Sequence, residues 1–220
     1  MREYKDIEFK VAADGSSASG KTTGGKLIAK KLKMSFLSSG TLYRFCAYKL
    51  LENRSNCNIK FISKTVKSLN LKKLKSKKLY SPEVARLSSI IAKKKFVRKA
   101  LKNFQTNFIK KSKLVVVEGR DIGSKIMPDA DLKLFFTCSI KEKAKRRLKE
   151  FQVLNNNIEL KEVEKALIQR DKEDIKRKIS PLIMTKNAVL VDTTKLSIRQ
   201  MEAKLINLVK NSIKKKYGNL

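Results

Sequence analysis

With 220 residues, the chain is long enough for one α/β domain with a small insertion. Its 53 Lys and Arg residues against 20 Asp and Glu give a formal charge of +33, and the absence of histidine excludes a histidine base, a histidine metal ligand and a Ser-His-Asp triad. The three cysteines share no metal-type spacing and no apolar run reaches the roughly 18 residues that span a bilayer, so we expect a reduced, cytoplasmic protein without a membrane span.

The positive charge raises the question of nucleic-acid binding, but the excess is mostly lysine spread through the whole chain. Asn and Ile are abundant and Trp is absent, a composition typical of AT-rich genomes. We therefore predict no specific nucleic-acid partner, only non-specific binding to polyanions that weakens with salt. No apolar surface stripe stands out, so we also expect a monomer.

Apolar runs predict five strands, of which those at 8–14, 114–117 and 131–137 are expected to be buried, and apolar residues at helical spacing predict the helices between them. The strands are predicted at 8–14, 36–37, 114–117, 131–137 and 188–192. The helices are predicted at 23–33, 41–52, 96–111, 141–150 and 159–178, with one capped by Ser81 and a closing one that contains Ile198, Met201, Leu205 and Leu208. The Lys-, Ser- and Asn-rich stretch 53–80 predicts short helices and a surface insertion. Strands alternating with helices predict an α/β fold with a doubly wound parallel sheet, and ligands at the carboxyl ends of the strands.

The segment between the first predicted strand and helix matches the full phosphate-binding pattern G-x-x-x-x-G-K-[ST]. Its residues are Gly15, Ser16, Ser17, Ala18, Ser19, Gly20, Lys21 and Thr22. Backbone N–H groups of such a P-loop point at phosphate oxygens, the lysine reaches the β- and γ-phosphates, and the last hydroxyl suits Mg²⁺. We therefore predict an ATP site that extends to Thr23, with Lys21 catalytic and Thr22 as the metal ligand; the alternative is a flexible Ser/Gly turn.

Two clusters that follow predicted strands are candidates for holding a second substrate. Residues 38–44 (SSGTLYR) start a helix, where hydroxyls and Arg44 either bind a phosphate or cap the helix. Glu118, Gly119, Arg120 and Asp121 come directly after the buried run 114–117. Charged groups at that position emerge at the ligand-binding edge of the sheet, which favours a functional role.

A third cluster consists of Arg170, Asp174 and Arg177, whose spacing of four and three residues places them on one face of a predicted helix. Internal ion pairing explains that spacing as well as function does. Phosphoryl transfer depends mainly on positioning and charge neutralisation, so several arginines around one P-loop favour the functional interpretation.

Over nearly its full length the chain resembles the bacterial cytidylate kinases, a nucleoside monophosphate kinase family of P-loop proteins. The matching segments are the P-loop with the preceding Asp14, S-G-x-x-Y-R at 39–44, S-x-E-V-A at 81–85, V-V-E-G-R-D-I-G at 116–123 with P-D-A at 128–130, and 170–197 from R-D through P-L to V-D-T-T-x-L-S. The G-R-D block and the terminal D-T-T-x-L-S run are specific to this family rather than to P-loop kinases in general.

The resemblance implies transfer of the ATP γ-phosphoryl group, with Mg²⁺, to CMP or dCMP. It implies that Arg120, Arg170 and Arg177 bind phosphates as catalytic residues. Arg146 and Arg147 have two interpretations, as ATP-side contacts or as solvated surface arginines. The implied CMP-binding residues are Ser39, Tyr43, Arg44, Ser89, Arg98, Asp121 and Asp174, of which Ser89, Arg98 and Asp121 read the cytosine. It further implies one kinase domain over 1–220, with 41–112 as the CMP-binding insertion and about 150–180 as a mobile lid.

The chain departs from the family pattern at two places. Ser38 stands where an Asp usually precedes the Ser/Thr-Gly of the 38–44 cluster, which removes a carboxylate and leaves catalytic efficiency open. Residues 59–80 are shorter and more basic than the usual insertion, so we expect its strands to be missing. Two other hypotheses therefore stand beside CMP kinase: a P-loop kinase of another acceptor such as UMP, and a degenerate nucleotide-binding protein associated with RNA.

Overall fold

The computed structural model describes residues 6–152 and 158–218. Its single sheet contains β1 (Phe9–Gly15), β2 (Ser35–Ser38), β3 (Leu114–Gly119), β4 (Leu132–Thr137) and β5 (Ala188–Asp192), in the order β2-β3-β1-β4-β5. All five predicted strands are confirmed, with boundaries within two residues.

The strand order reverses at β1, which makes the sheet doubly wound. Val11 of β1 pairs in parallel with Val116 of β3 on one side and with Leu132 of β4 on the other, and β4 pairs in parallel with β5. Val11 and Val116 are fully buried, as expected for a central strand covered on both faces. The carboxyl end of β1 lies at the point of reversal, where open α/β sheets bind their ligands.

Eight α-helices accompany the strands in the described part of the chain. They are α1 (Lys21–Lys31), α2 (Ser39–Glu52), α3 (Ile59–Lys67), α4 (Pro82–Ile91), α5 (Lys95–Lys110), α6 (Ile140–Gln152), α7 (Leu160–Lys176) and α8 (Ile198–Tyr217). The predicted helices are confirmed to within two residues at each end, and the Ser81 hydroxyl caps α4 by accepting the Val84 N–H. No helix among the described residues is long and apolar enough to cross a membrane.

The chain forms two compact units, which are residues 1–37 with 112–220, and residues 38–111. The first unit contains the sheet, and its core joins α1 and α8 to the strands. Central members of this core are Phe9, Ile28, Leu134, Phe136, Leu205 and Val209. A smaller cluster of Ala144, Val163 and Leu167 packs α6 against α7.

The second unit consists of α2 to α5 and two short 3₁₀ turns, Lys73–Lys75 and Lys77–Tyr80. Its buried residues include Leu42, Phe45, Ile62, Ile91 and Leu101. Residues 59–80 contain helix and 3₁₀ turns but no strand, as the shortened sequence predicted. That this unit binds CMP, and that about 150–180 is a lid, stay predictions, and residues 153–157 of the lid segment lie outside the described part of the chain.

Candidate active site

The P-loop curls between β1 and α1 at two glycines. Gly15 has a φ of +154°, and a Cβ there would lie 2.3 Å from the Phe136 carbonyl oxygen, so only glycine fits against β4. Gly20 has a φ of +84° at the N-cap of α1. The loop therefore closes around the start of α1, where free backbone N–H groups and the helix dipole attract anions.

Lys21 is the first residue of α1 and is buried, with 6% of its surface exposed. Its Nζ donates to the Ser16 carbonyl at 3.0 Å, and the Ser19 hydroxyl donates to the same oxygen at 2.9 Å. Burial lowers the pKa of Lys21 most, the nearby positive charges of Arg120, Arg170 and Arg147 act in the same direction and Glu118 opposes them, and together they bring the pKa to about 7. This concentration of positive charge beside the P-loop favours a bound polyanion.

Thr22 and Glu118 bring two oxygen ligands together beside the P-loop. The Thr22 hydroxyl donates to Glu118 Oε1 at 3.1 Å, and Glu118 is buried at the end of β3. Hydroxyl and carboxylate oxygens suit Mg²⁺, which takes few protein ligands and completes its shell with water and phosphate. The described residues contain no cluster of three or more acidic or cysteine side chains that could hold a metal alone. Thr22 and Glu118 are therefore the residues here that could contribute oxygen ligands to Mg²⁺.

Arg120, Asp174 and Arg177 form a partly buried ion network. Arg120 Nε donates to Asp174 Oδ2 at 2.8 Å and Arg177 Nη1 donates to Asp174 Oδ1 at 3.2 Å. Burial alone would raise the pKa of Asp174, but the guanidiniums of Arg120, Arg177 and Arg170 outweigh it and hold the pKa below its usual range. Arg177 Nη2 also lies 4.0 Å from Asp121 Oδ1. The structure thus brings together Arg120, Asp121, Asp174 and Arg177, from two of the predicted clusters.

The spacing predicted that Arg177 shares one helix face with Arg170 and Asp174. That prediction is wrong for Arg177, which lies just beyond the end of the helix. The helix α7 ends at Lys176, and Arg177 is its C-cap with an extended ψ of 138°. Ser180 has a φ of +51°, and its carbonyl accepts a hydrogen bond of 2.6 Å from Arg177 Nε. The chain turns here just before Pro181, which has no backbone N–H to donate to a helical hydrogen bond.

Asp14 fixes the backbone that directly follows the G-R-D block. Its two carboxylate oxygens accept the backbone N–H groups of Ile122 at 2.8 Å and Gly123 at 2.7 Å, which fixes the short π-helical turn Ile122–Ile126. Burial raises the pKa of Asp14 to about 6, although both backbone hydrogen bonds act in the opposite direction. Sequence analysis placed Asp14 in the family pattern but gave it no role; a carboxylate at the end of a buried strand was the available signal.

Helices α6 and α7 contribute contacts to the P-loop, and those of Asp171 and Lys143 were not predicted from the sequence. The Asp171 carboxylate accepts the Ser17 backbone N–H at 2.9 Å and Lys143 Nζ at 3.0 Å. Arg147 Nη2 donates to the Ser17 hydroxyl at 3.3 Å. Asp171 followed Arg170 in the quoted pattern, while Lys143 looked like one surface lysine among many.

The residue that follows β5 makes a further contact with the P-loop. The Thr193 hydroxyl donates to the Ser19 carbonyl at 3.0 Å. Arg146 donates two hydrogen bonds to Thr193, from Nη1 to the hydroxyl oxygen at 2.9 Å and from Nη2 to the carbonyl oxygen at 2.8 Å. The P-loop is therefore braced by α6 and the loop after β5 as well as by its own glycines.

In the second unit, predicted CMP-binding residues lie at the start of α2. The Ser39 hydroxyl is buried and accepts from Gln105 Nε2 at 2.7 Å, and Ser38 is the N-cap of the helix, with its carbonyl accepting the Thr41 hydroxyl at 2.6 Å. These contacts give α2 a defined start within the unit. Gln105 had no place in the sequence analysis.

The remaining predicted residues of this unit form two aromatic-cation pairs. The Arg98 guanidinium lies 5.6 Å from the Tyr43 ring centre, and Arg44 lies 5.2 Å from the ring of Tyr80. Arg44 also donates to the Leu79 carbonyl at 3.0 Å. The structure thus brings Tyr43 and Arg98 together. Ser89 lies on α4 with its hydroxyl bonded to the Ala85 carbonyl of its own helix.

The parallel sheet and the loop between β1 and α1 define a small α/β fold with a P-loop. A shikimate kinase structure from Bacteroides thetaiotaomicron aligns with a TM-score of 0.50 and 12% identity over 92% of this chain and 97% of that one. An uncharacterised Eubacterium ventriosum protein aligns with a TM-score of 0.53 and 12% identity, over 92% and 99%. At such identities the likeness concerns the fold alone.

The family model for cytidylate kinase matches residues 11–211, and the chain belongs to the cytidylate kinase family. The cytidylate kinase of Thermotoga neapolitana is 38% identical over 218 residues, covering 94% of this chain and 99% of that relative. The cytidylate kinase of Rickettsia felis is 34% identical over 206 residues, covering 93% of each.

Proposed function

We propose that this protein transfers the γ-phosphoryl group of ATP to CMP or dCMP, giving ADP and CDP or dCDP. The observation that carries the proposal is the P-loop Lys21 surrounded by the charges of Arg120, Arg170 and Arg147, in a chain of the cytidylate kinase family. Such a site neutralises phosphate charge and needs no covalent nucleophile.

Lys21 and three arginines carry the chemistry in this proposal. Lys21 binds the β- and γ-phosphates, while Arg120, Arg170 and Arg177 compensate the charge that spreads over the transferred group. Thr22, with Glu118 beside it, would hold Mg²⁺, which supplies further charge neutralisation on the ATP phosphates when bound. Asp174 holds Arg120 and Arg177 in place until substrate arrives.

The proposed CMP contacts follow the family resemblance residue by residue. They are Ser39, Tyr43, Arg44, Ser89, Arg98, Asp121 and Asp174. Asp121 suits the reading of cytosine because its carboxylate accepts the exocyclic amine, a donor that uracil lacks. Closure of the 150–180 lid over both nucleotides would exclude water and limit ATP hydrolysis. We further propose a monomeric cytoplasmic enzyme.

The experiment is a coupled assay of ADP production from ATP and Mg²⁺ by the purified protein. CMP, dCMP, UMP, AMP and GMP are offered in turn, with the Lys21→Met variant as the inactive control. We expect turnover with CMP or dCMP to exceed that with the others at least tenfold. Preference for UMP would support the alternative acceptor, and ATP binding without turnover would support the degenerate nucleotide-binding protein, for which the loss of a carboxylate at Ser38 is the motivating observation.

A further inference from the structure

Asp171 and Lys143 form an ion pair in which the acidic partner also contacts the P-loop backbone. The two side chains are 14% and 10% exposed, and the nitrogen and oxygen lie 3.0 Å apart. Asp171 divides its carboxylate between Lys143 Nζ and the Ser17 N–H, one oxygen for each. A carboxylate with both oxygens engaged in a largely dry environment has a defined position.

The elements that carry this pair are packed against each other. Ala144 on α6 contacts Val163 and Leu167 on α7 in an apolar cluster beside the pair. Asp171 therefore fixes one end of α7 to the P-loop, while the apolar cluster fixes α7 to α6. Arg170 and Asp174 belong to the same helix, so their distance from the loop depends on the same contact.

The negative charge of Asp171 would repel the phosphates of ATP, and Lys143 compensates that charge. A carboxylate hydrogen-bonded to a P-loop N–H lies beside the loop that must accept the phosphates of ATP, and like charges repel strongly where water is scarce. Lys143 places a positive charge on the opposite oxygen, so that the pair as a whole adds no net charge. The Asp171–Lys143 pair can then hold α7 against the P-loop without repelling the phosphates of the nucleotide.

We propose that Asp171 and Lys143 are a charge-neutral pair of positioning residues that holds α7 against the P-loop and keeps the loop receptive to ATP. The pair acts through the Ser17 N–H. The proposal rests on the proposed function for the reaction that ATP undergoes, but the effect of the pair on ATP binding can be measured without turnover.

A double-mutant cycle tests the pair by direct binding of a non-hydrolysable ATP analogue with Mg²⁺, measured by isothermal titration calorimetry. Lys143→Met leaves the carboxylate uncompensated, and we expect the analogue to bind about tenfold more weakly. In the double variant with Asp171→Asn, the uncompensated charge is gone and binding returns to within about threefold of wild type. Lys145→Met, an exposed lysine of α6, and Glu162→Gln on α7 are the matched controls and leave affinity unchanged.

Kinetics give a second, independent readout. Lys143→Met should raise the KM for ATP while the KM for CMP stays within about twofold, a split that general loosening of the fold does not produce. If Lys143→Met fails to fold, as judged by circular dichroism and thermal melting, Lys143→Gln replaces it because it keeps a polar head without the charge.

Unchanged analogue affinity in the Lys143 variant, or a double variant no better than Lys143→Met alone, would overturn the proposal. A wild-type protein that binds the analogue but does not phosphorylate CMP would instead contradict the proposed function and leave the binding cycle interpretable.

Discussion

Arg120 and Asp174 meet at 2.8 Å although 54 residues separate them in the chain, and each side chain is about one-sixth exposed. Asp174 raises the pKa of Arg120 above its already high value, even though burial by itself would lower it. The pair joins the G-R-D block after β3 to helix α7. It therefore couples a residue proposed for phosphate binding to one proposed for CMP binding.

Replacing Asp174 with Asn should weaken both the fold and CMP binding. The Arg120 and Arg177 guanidiniums lose their shared negative partner, which we expect to destabilise the fold by about 1–2 kcal/mol, since the pair is partly exposed. The melting temperature should fall by a few degrees. In steady-state kinetics the KM for CMP should rise about tenfold and the KM for ATP by less than about twofold. Equal increases in both constants would contradict a CMP-side role.

Lys21 should make ATP binding depend on pH around neutrality. In the free protein its pKa is lowered to about 7 from 10.5, and bound phosphates favour the protonated amine. At pH 8 the binding of an ATP analogue should therefore take up close to one proton, and at pH 6 almost none. Calorimetry in buffers of different ionisation enthalpy measures this uptake. It should be absent in Lys21→Met and intact in Lys26→Met, whose lysine is exposed on α1.

The same shift has a consequence for stability in the absence of nucleotide. Between about pH 7 and 10.5 the folded protein binds fewer protons at Lys21 than the unfolded chain does. The contribution of this group to the free energy of unfolding therefore rises with pH across that window. Lys21→Met should flatten the pH dependence of urea unfolding there; a steeper dependence in the variant would contradict the lowered pKa.

Asp14 should be important for stability as well as activity. Asp14→Ala leaves the Ile122 and Gly123 N–H groups without their acceptor in a buried place, at a cost of about 2–3 kcal/mol. Urea unfolding measures the loss. Glu8→Ala, an exposed acid just before β1, is the control and should change stability by less than about 0.5 kcal/mol. A loss in Asp14→Ala as small as that of the control would show that water replaces the carboxylate.

Asp121 should set the preference for cytosine. Asp121→Ala removes the acceptor for the exocyclic amine, so the ratio of kcat/KM for CMP to that for UMP should fall at least tenfold. The KM for ATP should change little. Asp129→Ala removes an exposed acid in the loop that follows the π-helical turn and serves as the control. A ratio that is unchanged in Asp121→Ala would assign base reading to other residues.

The centre of the sheet was predictable because β1 and β3 are buried on both faces and therefore appear as apolar runs, as in the run 114–117. The P-loop was predictable because its glycines, lysine and hydroxyl occupy fixed offsets with a physical purpose. Both signals are local in sequence, which is why five strands and the phosphate loop could be located without a structure.

The polar contacts that position the site depend on residues far apart in the chain. Asp171 reaches Ser17 across 154 residues, and no local pattern indicates which N–H an acidic side chain will meet. Lys143 was indistinguishable from the other lysines of a basic helix until its burial was known. Arg177 lies just beyond the end of α7 at Lys176, and helical spacing alone does not reveal where a helix ends.

The most direct test of the central claim follows the transferred group itself. ATP labelled with ³²P in the γ position is incubated with the protein, Mg²⁺ and CMP, and the products are separated by chromatography. We predict that the label appears in CDP in amounts that match the ADP formed, and that Lys21→Met transfers none. Label that appears only in inorganic phosphate, with no labelled CDP, would contradict phosphoryl transfer to CMP.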